Sequence, residues 1–107
     1  MNDSSLAVVV RFKSHLPFDG IVKIFEERID QYRALDGLRQ KYYVYDEETG
    51  EVGGLYIWES EQALDAFRKS ELQATIADAY QVIGKPRVEV FRIVEVLREL
   101  PSVTTST

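Results

Sequence analysis

The sequence predicts an α+β domain in the order strand, helix, strand, strand, helix, strand, with a four-stranded antiparallel sheet covered by helices on one side. Three observations predict it. Segments dense in β-branched and aromatic residues stand at 6–13, 38–46, 52–59 and 88–97. Helix-spaced apolar residues fill the stretches between the first and second and between the third and fourth of these. The middle two strands are joined by Glu47-Glu48-Thr49-Gly50, a hairpin turn. This order is the split βαβ arrangement of the ferredoxin-like fold.

Leu6 to Lys13 is apolar on both faces in its first half, as a central strand is. Pro17 breaks the chain, and Asp19 is placed to cap the helix that follows. Its apolar positions are Ile21, Ile24, Phe25, Ile29, Tyr32 and Leu35, with Gly37 as the C-terminal stop. Leu38 to Asp46 and Val52 to Glu59 form the hairpin. Ser60 caps a helix carrying Ala63, Leu64 and Phe67. A second helical stretch with Leu72, Ile76, Ala79, Tyr80 and Ile83 ends at Gly84 before Pro86, and the region breaks near Ser70. Val88 to Leu97 is the fourth strand. Residues 1–5 read as a flexible N-terminus, 6–100 as one domain and 101–107 as a disordered tail.

At 107 residues and 45% apolar content the chain is a single globular unit. The absence of Cys removes disulfides, iron–sulfur clusters and thiolate zinc sites, and a single His leaves little for a His-based metal site. No Gly-rich dinucleotide loop follows a strand, since Gly53-Gly54 lies inside one, and no Ser/His/Asp triad can be assembled. The expectation is no metal and no cofactor. A net charge of −5 with scattered basic residues argues against nucleic acid. The apolar run Leu6 to Val10 falls far short of the ~20 residues of a membrane helix. Asn2-Asp3-Ser4-Ser5 is acidic where a secretory signal is basic, so no membrane and a cytoplasmic location are expected.

Both faces of the outer segments carry apolar residues. The first strand has Val8, Val10 and Phe12 on one side and Ala7 and Val9 on the other. The last has Val88, Val90, Val94 and Val96 against Phe91, Ile93 and Leu97. Such surface marks an interface, and sheet-on-sheet packing into a homodimer is the simplest remedy.

The hairpin carries a recognisable pattern. Gly37-Leu38-Arg39-Gln40-Lys41-Tyr42-Tyr43, an acidic turn and Gly53-Gly54-Leu55-Tyr56-Ile57-Trp58-Glu59-Ser60 lead into a helix with Ala63 and Phe67. Over residues 6–97 the chain resembles the YdhR-like monooxygenases of the dimeric α/β-barrel superfamily. The resemblance implies a homodimer whose sheets pack into a barrel, with a small-molecule pocket between sheet and helices. The superfamily includes cofactor-independent oxygenases of polyketide anthrones, haem-degrading enzymes, cyclases, isomerases and ligand-binding modules, so it speaks to fold more than to reaction.

If Asp46 and Glu51 close the hairpin, Tyr45 faces Val52, Tyr43 faces Gly54, Lys41 faces Tyr56 and Arg39 faces Trp58. One hairpin face then holds Lys41, Tyr43, Tyr45, Tyr56 and Trp58. The other holds Leu38, Gln40, Tyr42, Val44, Leu55 and Ile57, the more core-like set. Aromatic bodies with polar tips and one ammonium suit a flat, oxygenated molecule, although the same residues can fill a dimer core. Lys41 can hold an enolate oxygen or snorkel to water from an edge strand. His15, just after the first strand, is the candidate base, or else a solvent-exposed loop residue. Tyr32 and Tyr80 close the pocket or serve as core aromatics. Glu26, Glu27, Arg28, Glu59 and Glu61 read as solvated helix charges.

The expected function is a cofactor-independent monooxygenase acting on an aromatic or polyketide-like small molecule. His15 is its catalytic residue, and Lys41, Tyr43, Tyr56, Trp58, Tyr32 and Tyr80 bind substrate. The alternatives are an isomerase or cyclase using the same pocket, or a non-catalytic dimeric module that binds a small ligand.

Overall fold

Alternating burial along the first strand fixes how the sheet meets the helices. In the computed structural model, which describes residues 5–98, β1 (Leu6–Ser14) turns Leu6, Val8 and Phe12 into the core. Ala7, Val9 and Arg11 take the opposite face, as the period of two requires. The strands β2 (Leu38–Tyr45), β3 (Val52–Trp58) and β4 (Val82–Arg92) complete one antiparallel sheet in the order β2-β3-β1-β4. Helix α1 (Phe18–Arg33) and the short helices α2 (Glu61–Arg68), α3 (Glu71–Ala74) and α4 (Ile76–Ala79) cross one face of it. The predicted α+β fold with a four-stranded antiparallel sheet is the fold observed. Of the expected flexible N-terminus, residues 1–4 lie outside the described residues, as does the expected tail 101–107, whereas Ser5 is buried and its carbonyl accepts from the Ile93 N–H.

Several boundaries differ from the sequence reading for local reasons. Asp19 does not cap α1. Pro17 is the cap residue, and Asp19 sits in the first turn, where its charge faces the positive end of the helix dipole. The helix ends at Arg33, and Gly37, with φ +82°, makes the turn into β2 instead of stopping the helix. Ser60 and Ser70 do cap, accepting hydrogen bonds from the Ala63 and Gln73 N–H at 3.1 and 3.2 Å. The second helical region therefore breaks at Ser70 as expected.

The largest correction concerns the last strand. It runs over Val82–Arg92, not Val88–Leu97. Gly84 and Pro86, which read as helix breakers, lie within β4 instead. The pairing shifts register between Arg11 and Lys13, opposite Ile83 and Arg87, so Gly84-Lys85-Pro86 bulges there. A bulge tolerates both a positive φ, here +71° at Gly84, and a proline without an N–H. Past Arg92 the Ile93 N–H is held by the Ser5 carbonyl at 3.0 Å, and Val94 and Leu97 are almost fully exposed.

Two apolar clusters fill the space between sheet and helices. One joins Leu6, Val8, Tyr32, Tyr56, Trp58, Leu64 and Phe67. The other joins Phe12, Ile21, Val52 and Tyr80, and Val10 and Ile76 pack against both. The candidate site lies where they meet.

Candidate functional site

The hairpin register is as expected from Tyr45↔Val52 through Lys41↔Tyr56. It slips at Arg39, so Leu38 and not Arg39 stands opposite Trp58, and Leu38 packs on the Trp58 cluster. The face read as more core-like is the open one: Tyr42 and Val44 are exposed, and the aromatic face meets the helices.

Between that face and the helices is a cavity of about 20 Å³ lined by Val10, Phe12, Phe25, Tyr32, Lys41, Tyr43, Gly53, Gly54, Tyr56, Ile76 and Tyr80. Five of the predicted site residues converge here: Tyr32 from α1, Lys41 and Tyr43 from β2, Tyr56 from β3 and Tyr80 after α4. Gly54 makes room for the lysine stem, since a Cβ there would lie 3.1 Å from Lys41 Cε and 3.1 Å from Tyr56 Cε1. Trp58 does not line the cavity. It is buried one layer deeper, stacked on Tyr56 with ring centroids 6.2 Å apart, and its Nε1 has no acceptor. His15 does not reach the cavity either. It is an exposed residue of the β1–α1 loop, tied by its backbone N–H to the Gln81 carbonyl at 3.0 Å.

Lys41 is held by ring faces. Its Nζ lies 3.4 Å from the Tyr32 ring centroid, 4.4 Å from that of Tyr43 and 4.6 Å from that of Tyr56. The negative face of each ring attracts the ammonium. Against this, burial and then the charge of Arg28 lower its pKa to about 7. The phenols move the other way. Burial raises Tyr32, Tyr43, Tyr56 and Tyr80 above their ordinary value, so they stay protonated and can donate hydrogen bonds. Among the cavity residues Lys41 alone changes charge near neutrality, and none of them is a carboxylate.

Beside Val10 and Phe12 of β1, three residues at this site were not read from the sequence as part of it. Phe25 packs at a tilt against Tyr43 with ring centroids 4.2 Å apart, Ile76 closes the wall from α4, and Arg28 stands behind Tyr80 with its guanidinium 6.0 Å from the ring centroid. The signal was present: Phe25, Arg28 and Tyr32 are spaced three and four residues apart, one line along α1. Arg28 was hidden by the exposed Glu26 and Glu27 beside it.

A larger concavity, about 530 Å³, lies on the open face of the sheet between Val9, Arg11, Val44, Tyr45, Asp46 and Glu51. Its cation is already paired, since Arg11 Nη2 lies 2.8 Å from Asp46 and 2.7 Å from Glu51, and Glu47 and Glu48 also line it. Among the described residues no cluster of His, Cys, Asp and Glu could hold a metal ion, and no helix is long and apolar enough to cross a membrane.

The βαββαβ order with a four-stranded antiparallel sheet covered on one face by helices defines the class of small ferredoxin-like α+β proteins. Within that class the sequence matches the family described as "Putative mono-oxygenase ydhR" over residues 8–104, and the chain belongs to that family. A search of the curated proteins finds no match. Solved structures share the fold at low identity. Rv0793 from Mycobacterium tuberculosis is 22% identical, with a TM-score of 0.71 over 89% of this chain and 100% of that one. SnoaB, a cofactor-independent oxygenase from Streptomyces nogalater, is 13% identical, with a TM-score of 0.72 over 90% and 99%. A monooxygenase from the gene ActVA-Orf6 of Streptomyces coelicolor, solved in complex with nanaomycin D, is 22% identical, with a TM-score of 0.68 over 94% and 95%.

Proposed function

We propose that this protein is a cofactor-independent monooxygenase of an aromatic or polyketide-like small molecule, and that Lys41 is its base. The observation that carries the reading is the buried amine of Lys41, ringed by three tyrosines, with no carboxylate lining its cavity. Family membership and the shared fold with an oxygenase described as cofactor-independent support it.

The chemistry needs an acidic C–H or phenol. A free amine with a pKa near 7 takes that proton efficiently at neutral pH and becomes an ammonium beside the anion it has made. The anion supplies the electrons that reduce oxygen. A C–O bond forms, and the peroxide loses water, so a CH2 becomes C=O with one oxygen atom in the product and the other in water. The protonated phenols of Tyr43 and Tyr56 orient the substrate oxygen, and the surrounding apolar wall keeps water from the peroxide. His15, exposed in its loop, is left outside these steps.

The reading includes a homodimer. Tyr42, Val44 and Phe91 are exposed on the open sheet face, and Val88 and Val90 are exposed along β4. Packing that face against a second copy would cover the patch. Sedimentation should give a dimer mass, and Val44→Glu should shift it towards monomer. A monomeric wild type would end this part of the reading. The cytoplasmic location expected from the sequence is kept with it.

Oxygen uptake by the purified protein with anthrones and electron-rich phenols, without added flavin or metal, tests the function. Uptake retained by His15→Ala is expected. No uptake across the panel would overturn the oxygenase reading in favour of an isomerase, a cyclase or a binding module.

A further inference from the structure

We propose that Arg28 is a specificity-determining residue, which selects ligands carrying a second acidic oxygen beyond the one held by Lys41. This rests on the small-molecule site proposed above and names the ligand class it takes.

Arg28 is a partly buried cation with no carboxylate partner among the described residues. Its Nη2 donates to the Leu72 carbonyl at 2.6 Å and to Thr75 Oγ1 at 3.2 Å, and its Nε–H is buried without an acceptor. The acidic residues nearest it on α1, Glu26, Glu27 and Asp30, are all exposed. Holding a charge with only neutral acceptors and one orphaned donor is costly unless something else claims it. Arg28 and Lys41 also repel each other, and that repulsion contributes to the lowered pKa of Lys41. Two neighbouring cations, neither with a carboxylate partner among the described residues, suit an anionic ligand.

The cavity shows how Arg28 would come to meet one. Its volume of about 20 Å³ holds roughly one water molecule, far less than an aromatic ligand requires. The wall with the least to lose by moving is the segment from Glu71 to Ala79. It is two helices of four residues each, neither with a buried residue, and it contributes Ile76 to the cavity. Both acceptors of Arg28 lie on this segment. As the segment yields to a ligand, Arg28 loses the Leu72 carbonyl and the Thr75 hydroxyl and becomes free to take a ligand oxygen. The guanidinium fork suits a carboxylate, and the Lys41 ammonium suits a single phenolate or enolate oxygen. The ligand class is therefore a hydroxyaromatic acid, with both oxygens on one edge.

The test compares 1-hydroxy-2-naphthoate with 1-naphthol by calorimetry at pH 7 under nitrogen, so that binding is read without turnover. Wild type should bind the naphthoate at least about tenfold more tightly. Arg28→Gln should bring the two within about twofold of each other. Equal affinity of wild type for the two probes, or an undiminished preference in Arg28→Gln, would overturn the proposal. If Arg28→Gln fails to fold, the wild-type comparison alone decides. A preference for the naphthoate in a protein that consumes no oxygen would sink the oxygenase reading and uphold this one. Oxygen uptake without the preference would do the reverse.

Discussion

Two cations of one sheet, Arg11 on β1 and Lys41 on β2, are treated in opposite ways. On the open face Arg11 reaches two carboxylates, Asp46 and Glu51, with Arg87 a further 3.7 Å from Glu51. On the covered face Lys41 meets only aromatic rings and a second cation's field. Arg11 is paired as a structural charge is paired, and its own pKa is raised by the Glu51 hydrogen bond. Lys41 is disfavoured as an ion where it stands. A charge kept in such a place at a cost to folding is the mark of a functional group, because a methionine would fill the same volume more cheaply.

The largest effect should come from the glycines that let the two faces coexist. A Cβ on Gly53 would lie 1.7 Å from the Val10 carbonyl oxygen, inside the β1–β3 pairing. Gly53→Ala should cost about 3 kcal/mol or more, or abolish folding, in a denaturant titration. Gly54→Ala meets the flexible Lys41 stem and the Tyr56 ring edge at 3.1 Å and the Tyr42 carbonyl at 3.5 Å, so it should cost less than Gly53→Ala and lose binding of the aromatic probe.

Lys41→Met sharpens the contrast next. Its melting temperature should equal or exceed that of wild type at pH 7, while probe affinity falls at least about tenfold, ~1.4 kcal/mol. Glu51→Gln should do the opposite, lowering the melting temperature and leaving probe affinity intact. Equal behaviour of the two variants would erase the distinction between the faces.

The pH dependence is the smallest expected effect and has two arms. Lys41 titrates at about 7 when folded against 10.5 ordinarily, so between these values the unfolded chain binds the extra proton. Stability therefore rises as pH climbs from about 7 towards 10, and this slope should vanish in Lys41→Met. Asp46 is held low by the backbone N–H groups of Glu48 and Thr49 and by Arg11. For Glu51 burial pushes upward, but the Arg11 hydrogen bond and the charges of Arg87 and Arg11 outweigh it. The stabilisation these carboxylates give is complete above their ordinary values of 3.8 and 4.5 and is lost as pH falls through their lowered ones. Glu51→Gln should flatten that acid arm only, as thermal melts across pH would show.

Much of this was legible in the sequence, because periodicity and turn chemistry are local. The hairpin register followed from one turn and placed Lys41, Tyr43 and Tyr56 together. The element order gave the fold, and the helical region broke near Ser70 as read, where the structure shows a capping serine. What escaped depended on the third dimension. The β4 bulge disguised a strand as the end of a helix, because Gly84 and Pro86 break both. The slip at Arg39 moved Leu38 to the other face. Arg28 looked like one more surface charge until α3 supplied its acceptors, and His15 looked like a pocket residue only because it follows β1 directly.

The most direct test of the account is oxygen uptake by Lys41→Met beside wild type on one anthrone, with both proteins verified as folded by circular dichroism. The account predicts uptake in wild type and none above background in the variant. Equal uptake by the two would show that the buried amine is not the base, and the comparison between the faces would lose its functional meaning.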